Sequence, residues 1–235
     1  MTDKEHFEIS YYGELTGRYA DTMKRTQQLK DSTKGYLTGL ADAQAGQFSA
    51  LYIADHLPDY VLSDLTEHCP LNEGISTGRG IRQDYLEDLI LPEVTFKDRS
   101  RVFLQIAKEH FIHVFTKDAD LSLENTECRK AEEEDFLSVC RRSDINLVIP
   151  ERHVVEIMSE EVISAMVESC FVMMPYLDIY YQFLPSDALV CYTSGEEALE
   201  LTQYFLSHKE ERLAIAARGK EAVIELLSSM KQAAD

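Results

Sequence analysis

The chain has 235 residues, a formal net charge of −19, 45% apolar residues and 28% charged residues. That is enough material for one large domain or two small ones. The acidity argues against a nucleic-acid backbone partner, which needs clustered Lys and Arg, and against docking on an anionic membrane surface. No apolar run reaches the roughly 18 residues of a membrane span. The start MTDKEHFEIS lacks the basic and apolar regions of a signal peptide. Five cysteines without paired spacing point away from a disulfide framework or zinc site, so a reduced cytoplasmic setting is expected.

Taken in order, Phe7–Tyr12 (FEISYY) reads as a first strand that stops in a turn at Gly13. From about Arg18 to Leu65 the pattern is helical, with Leu37, Leu40, Ala41 and Ala45, then Phe48, Leu51, Tyr52 and His56, at helical spacing. These helices are expected to pack or dimerise. Asn72–Arg82 (NEGISTGRGIR) holds three glycines and two arginines. It lacks P-loop spacing and reads as a surface connector. A helix is expected over Phe96–Glu109, a strand over 111–115, a polar loop from Lys117 to Glu134 and a helix from about Glu133 to Arg142. Strand Ile145–Ile149, helix Ser159–Glu168, strand Cys170–Met174 and strand Ala188–Tyr192 follow. Ser194 and Glu197 form a capping-box pattern for a helix to about Ser207, and a second helix completes the chain. Continuous apolar strands alternating with helices imply an α/β fold: one Rossmann-like domain with a parallel sheet and a helical insertion at about 18–92.

In such sheets ligands bind beyond the carboxyl ends of the strands. The residues to consider are therefore Gly13 and Glu14, Thr116 and Lys117, Pro150–His153 including Arg152, Pro175 and Tyr176, and Thr193 and Ser194. Tyr176, Tyr180 and Tyr181 flank the expected mouth and could stack on a base or pack in the core. His110 and His113 are expected on opposite faces, which disfavours a metal pair. Glu132–Asp135 reads as a solvated helix start. No cysteine has the setting of a nucleophile, and no metal or cofactor is expected.

Tyr204, Leu206, Ser207, His208, Glu211, Arg212, Ile215, Ala216 and Gly219 fit the pattern "yyLsHeeER..IA..G". Gly35, Tyr36, Leu37, Gly39, Leu40, Ala43 and Gln44 fit "lkGYldGl..AQ". Through these motifs the chain resembles bacterial group 1 glycosyltransferases of the spore-maturation (CgeB-like) kind. The resemblance implies the C-terminal, donor-binding half of a GT-B fold, which holds a nucleotide sugar. It places Gly13 at the glycine after the first strand, Arg99 at the arginine of "vT..eR", and Asn146 at the first asparagine of "SkINLN".

Read without gaps from Asp144 to Gly219, the pattern "IPLRvfDimgaGGF" falls on residues 158–171. Its arginine becomes Glu161, its aspartate Ser164 and its glycine pair Ser169 and Cys170. Asp144 and Val148 replace the lysine and second asparagine of "SkINLN". A carboxylate where a cation should face a diphosphate implies weak nucleotide-sugar binding and no catalysis by this chain alone. The resemblance covers most of the chain and leaves no first domain. A homo-oligomer, or a complex with another glycosyltransferase-like chain, is therefore expected. The candidate nucleotide-sugar residues are Gly13, Arg99, Asn146, Arg152, Glu161 and Tyr176.

Overall fold

The structure is a computed structural model that describes residues 5–53, 55–117, 124–154 and 157–234. They form two compact units: 1–14, 101–149 and 158–235 in one, 15–100 and 150–157 in the other. The first is an α/β unit and the second is helical.

The α/β unit holds six parallel strands: β1 (Phe7–Tyr12), β2 (Ile112–Thr116), β3 (Thr126–Lys130), β4 (Ser143–Leu147), β5 (Val172–Pro175) and β6 (Val190–Tyr192). Their order is β3-β2-β1-β4-β5-β6, every neighbouring pair parallel. The chain thus builds outward from β1 to one edge, then returns to lay β4 on β1's other side. The expected α/β fold with a parallel sheet is present.

Strand β3 falls within the stretch that reads as a polar loop, of which residues 118–123 lie outside the described residues. Its sequence TECRK shows no apolar run because it is an edge strand whose polar side chains stay half-exposed. The ladder is fixed by neighbours instead, with His113 opposite Glu127 and Phe115 opposite Arg129.

Helices α6 (Phe136–Cys140), α7 (Glu160–Val167), α8 (Asp178–Phe183), α9 (Gly195–Ser207) and α10 (Lys209–Ala234) complete the unit with the later part of α5 (Leu91–Ile106). Val162 and Met166 of α7, Tyr180 of α8 and Val223 of α10 bury against Val172 and Met174. Elsewhere in the unit, Tyr11 meets Phe103 of α5 edge-on at 4.9 Å, and Phe171 lies 4.8 Å from Phe205 of α9.

Ile9, Ile145, Leu147 and Met173 are essentially inaccessible. Each such side chain stabilises the fold by about 1.5–3 kcal/mol. The single buried bond from Ser10 Oγ–H to Asn146 Oδ1, 3.2 Å, contributes about 1 kcal/mol and selects rather than stabilises. Ser10 and Asn146 are register partners, so a one-residue slip would bury an unpaired amide.

The helical unit contains α1 (Tyr19–Arg25), α2 (Asp31–Gln44), α3 (Asp59–His68), α4 (Ile81–Tyr85) and the first part of α5. Leu37 and Ala41 of α2 pack with Val61 and Leu65 of α3 and with Tyr85, Leu89 and Val94. The helical periodicity does not carry through residues 45–53 and 55–58. Gly46 turns the chain at φ +83. The fully buried Gln44 then knits the loop, donating to the carbonyls of Gln47 and Ala50 at 2.9 and 2.8 Å and accepting from Tyr52 N–H at 2.8 Å. One π-helical turn, Leu86–Ile90, joins α4 to α5. Pro92 follows it, lacks an N–H for the Asp88 carbonyl, and crowds that carbonyl with its ring. The wider turn accommodates both defects.

Candidate functional site

The strand order reverses between β1 and β4, so the crevice expected to take a ligand opens at the carboxyl ends of these strands. After β1, Gly13 takes φ +155 while its N–H donates to Phe115 O at 2.9 Å. A Cβ here would lie 3.0 Å from Tyr11 Oη, which itself donates to Glu14 O at 3.0 Å. Gly13 therefore makes room for a tyrosine folded over the turn, and the sheet uses its N–H. After β2, Lys117 Nζ sits 3.0 Å from Glu14 Oε1, and that bond raises the lysine pKa.

Three of the helices that start at this edge carry carboxylates in their first turns. In α7 these are Glu160 and Glu161, in α8 Asp178, and in α9 Glu196 and Glu197. Such residues complement the positive end of a helix dipole and occupy the place an anion would take. At α9 the occupation is literal. Ser194 Oγ accepts Glu197 N–H at 3.1 Å, and Glu197 Oε2 accepts both the N–H and the hydroxyl of Thr193 at 2.6 Å. The capping pattern predicts a bond back to the cap residue itself; the carboxylate reaches one residue further. At α7, Ser159 N–H donates to Tyr180 Oη at 2.7 Å, and Ser159 Oγ–H donates to exposed Glu161.

Tyr176 stacks on Tyr181 with centroids 4.9 Å apart and planes 21° from parallel. A bond to Asp178 raises the Tyr176 pKa; burial raises that of Tyr181. Burial also pushes the neighbouring Cys191 thiol up to about 11, which leaves it a poor nucleophile.

Of the other sequence candidates, Asn146 is interior to the sheet, and Arg99 and Arg152 belong to the helical unit. Asn146 is mid-strand and 2% exposed, and its Nδ2 donates to Cys140 O and Phe171 O at 3.2 and 3.0 Å. Arg99 is buried in α5 within the helical unit. Arg152 is a clamp inside that unit, donating from Nη1 to Phe48 O at 2.7 Å and from Nη2 to Gln47 O, with Asp98 3.4 Å from its Nε. Gly13, Glu161 and Tyr176 are the candidates at strand ends or helix starts of the carboxyl edge.

Arg141, Arg142 and Arg212 of the α/β unit lie at the opposite edge, and the Arg129 side chain reaches back along the sheet from near the end of β3. Arg129 donates to Glu5 at 2.6 and 2.9 Å and to Glu127 at 2.7 Å. Glu5, His113 and Glu127 have the spacing of a metal-ligand set, all within 4.8 Å. Arg129 already supplies the cation there, fixed over the Phe7 and Phe115 rings at 5.3 and 5.9 Å. Its hydrogen bonds hold both carboxyls below their ordinary pKa, while burial and the arginine's charge lower that of His113. The set suits a guanidinium better than a metal ion. Arg141 pairs with Glu168 at 2.9 Å, Arg142 with Glu134 at 2.7 Å, and Arg212 with Asp144.

Residues 99–235, more than half of the chain, match the model of a family described as glycosyl transferase-like. The chain belongs to that family. No curated protein and no solved structure matches it. The match to this glycosyl transferase-like family runs from within α5 to the end of the chain, so it takes in β2–β6 and α6–α10. Its C-terminal motif has a structural use throughout. His208 stacks on Tyr204 at 3.8 Å, and Tyr204 Oη–H donates to Glu211 at 2.7 Å. Arg212, 3% exposed, binds Phe205 O and Asp144. Gly219 lets α10 approach Ala188, whose carbonyl oxygen would lie 2.4 Å from any Cβ. The acidic first turns, the Thr193–Glu197 contact and the tyrosine stack were not found from the sequence as a site; the repeated Asp/Glu after each strand was the available signal.

Proposed function

We propose that this chain is a donor domain of the bacterial spore-maturation (CgeB-like) glycosyltransferase kind in which diphosphate recognition is lost. It acts in the cytoplasm as a binding or partner subunit, in a homo-oligomer or with another glycosyltransferase-like chain. One observation carries the reading: Glu14, Glu160, Glu161, Asp178, Glu196 and Glu197 mark the carboxyl edge of the sheet, and Lys117, one of the cations at its turns, is already paired with Glu14. Two like charges 4 Å apart repel by about 1 kcal/mol in water and several times that in a partly dry cleft. A diphosphate facing several carboxylates thus loses the term that holds it in related folds. Within this reading Gly13 shapes the turn, Tyr176 offers a ring to a base, and Glu161 repels the phosphates. Asn146, Arg99 and Arg152 support the two units from inside.

Titration with UDP, GDP and their sugar conjugates by calorimetry tests the reading. Dissociation constants near or above about 1 mM are expected. Micromolar binding would favour a second reading, an active donor half, which the intact strand order and the Gly13 turn support.

A further inference from the structure

Helix α10 has two faces, and only one of them serves the core. On the inner face Val223 is inaccessible, with Ala222 and Leu226 packed beside it. On the outer face Leu213, Ala217, Lys220, Ile224, Leu227 and Lys231 follow one another at intervals of 4, 3, 4, 3 and 4 residues. That alternation is the 3.5-residue repeat of a coiled-coil seam. Leu213, Ile224 and Leu227 are 56%, 46% and 46% exposed, and Ala217 and Lys231 are exposed as well.

The charges along the seam lack partners within the chain. Glu210, Glu221, Glu225 and Lys231 are exposed, and their side chains form no hydrogen bond or ion pair among the described residues. Glu221 and Glu225 stand four residues apart, a like-charge spacing that weakens a lone helix.

These charges choose the occupant and its direction. A parallel, in-register pair would set Lys220 against Lys220 and Lys231 against Lys231 inside the seam, which is repulsive. An antiparallel pair with its twofold axis level with Ala222 brings Leu227 opposite Ala217, Ile224 opposite Lys220 and Leu213 opposite Lys231 of the second copy. Lys220 of one copy then falls beside Glu221 and Glu225 of the other, and Lys231 within a turn of Glu210. Every unpaired charge meets its opposite, and the seam is its own complement.

We infer that the outer face of α10 is a self-association surface, on which a second copy of this chain lays its own α10 antiparallel to form an isologous dimer. The inference rests on the partner-subunit part of the reading above and narrows it to one partner; nucleotide binding does not enter it. The seam from Leu213 to Lys231 is about 27 Å long. Three exposed aliphatic side chains per copy cover less than the roughly 800 Å² per partner of a standard interface, so micromolar association is expected.

Sedimentation equilibrium on the full chain tests this. The average mass of wild type should rise from one chain toward two between about 1 and 200 µM. Ile224→Glu with Leu227→Glu should remain monomeric over that range while keeping the wild-type unfolding midpoint, since both side chains face outward. Glu221→Lys with Glu225→Lys, which touches no apolar residue, should weaken the dimer about tenfold at low salt and less at high salt. Ala217→Cys with Leu227→Cys should cross-link two copies under oxidation, and Lys220→Cys alone should not. Wild type that stays monomeric, a dimer that ignores the glutamate pair, or a cross-link through position 220 alone overturns the inference. A monomer still leaves the loss of diphosphate recognition standing, whereas a dimer with micromolar nucleotide binding removes that reading and leaves the seam.

Discussion

The two ends of the sheet are built from opposite charges. At the amino edge Arg141, Arg142 and Arg212 each bridge to a carboxylate, Arg142 and Arg212 also to backbone or a ring, and Arg129 reaches back from near the end of β3 to Glu5; these contacts tie β1 to β3 and β4 to α9 and α10. At the carboxyl edge, where this strand order places ligands, the helices open on Glu and Asp. The amino edge holds the Tyr204–Gly219 motif as architecture, while at the carboxyl edge α7, α8 and α9 open on carboxylates. Membership of a transferase family is therefore carried here by residues that pack, and function has to be argued from the other end of the strands.

The comparison breaks most easily at Gly219. If the motif is scaffold, Gly219→Ala should cost about 3 kcal/mol in urea unfolding, because a Cβ would overlap the Ala188 carbonyl oxygen. A stability loss within error of zero would show that α10 docks otherwise. Next, Arg212→Met leaves the Phe205 carbonyl without its arginine donor and Asp144 with His6 alone. Removing one partner of a fully buried pair costs about 3–5 kcal/mol, and with Asp144 a quarter exposed a discounted cost of about 2–3 kcal/mol is expected. Arg212→Met with Asp144→Asn should recover part of it in a double-mutant cycle.

A smaller effect tests the carboxyl edge. Glu161→Arg should tighten UDP binding about tenfold, or 1.4 kcal/mol, at low ionic strength. The gain should shrink as salt screens it, since Glu161 is exposed. An unchanged affinity would remove Glu161 from any phosphate path. The smallest effect separates the two edges directly. Ser169 has φ +59 at the end of α7, with Ser169 N–H donating to Met166 O at 2.9 Å and Cys170 N–H to Ala165 O at 3.0 Å. That bonding pattern favours glycine, so Ser169→Gly should stabilise by about 0.5–1 kcal/mol. Because α7 ends at the amino edge, nucleotide affinity should not move.

Much of this was legible in the residues, and what was not has physical causes. Five strands announced themselves as apolar runs because both faces of a parallel sheet are covered. β3 did not, since an edge strand needs only a partner and tolerates Glu127, Arg129 and Lys130. The pattern matched Asn146 and Arg212 to a transferase motif but could not say that each would spend its polar atoms on the backbone. Asp144 read as a lost ligand-side cation; it sits at the start of β4, where Arg212 and His6 take it up. The π turn had a sequence cause in Pro92, yet where the extra residue inserts depends on Arg25, Asn72 and His153, which are distant in the chain.

The charged edge strand has a bearing on solubility. A sheet grows by adding strands to an exposed edge, and a second chain approaching β3 would have to desolvate Glu127, Arg129 and Lys130 as it paired. At the other margin β6 spans only three residues, too short to template a partner. Neither border invites another strand, so any pairing of two copies has to run through helices.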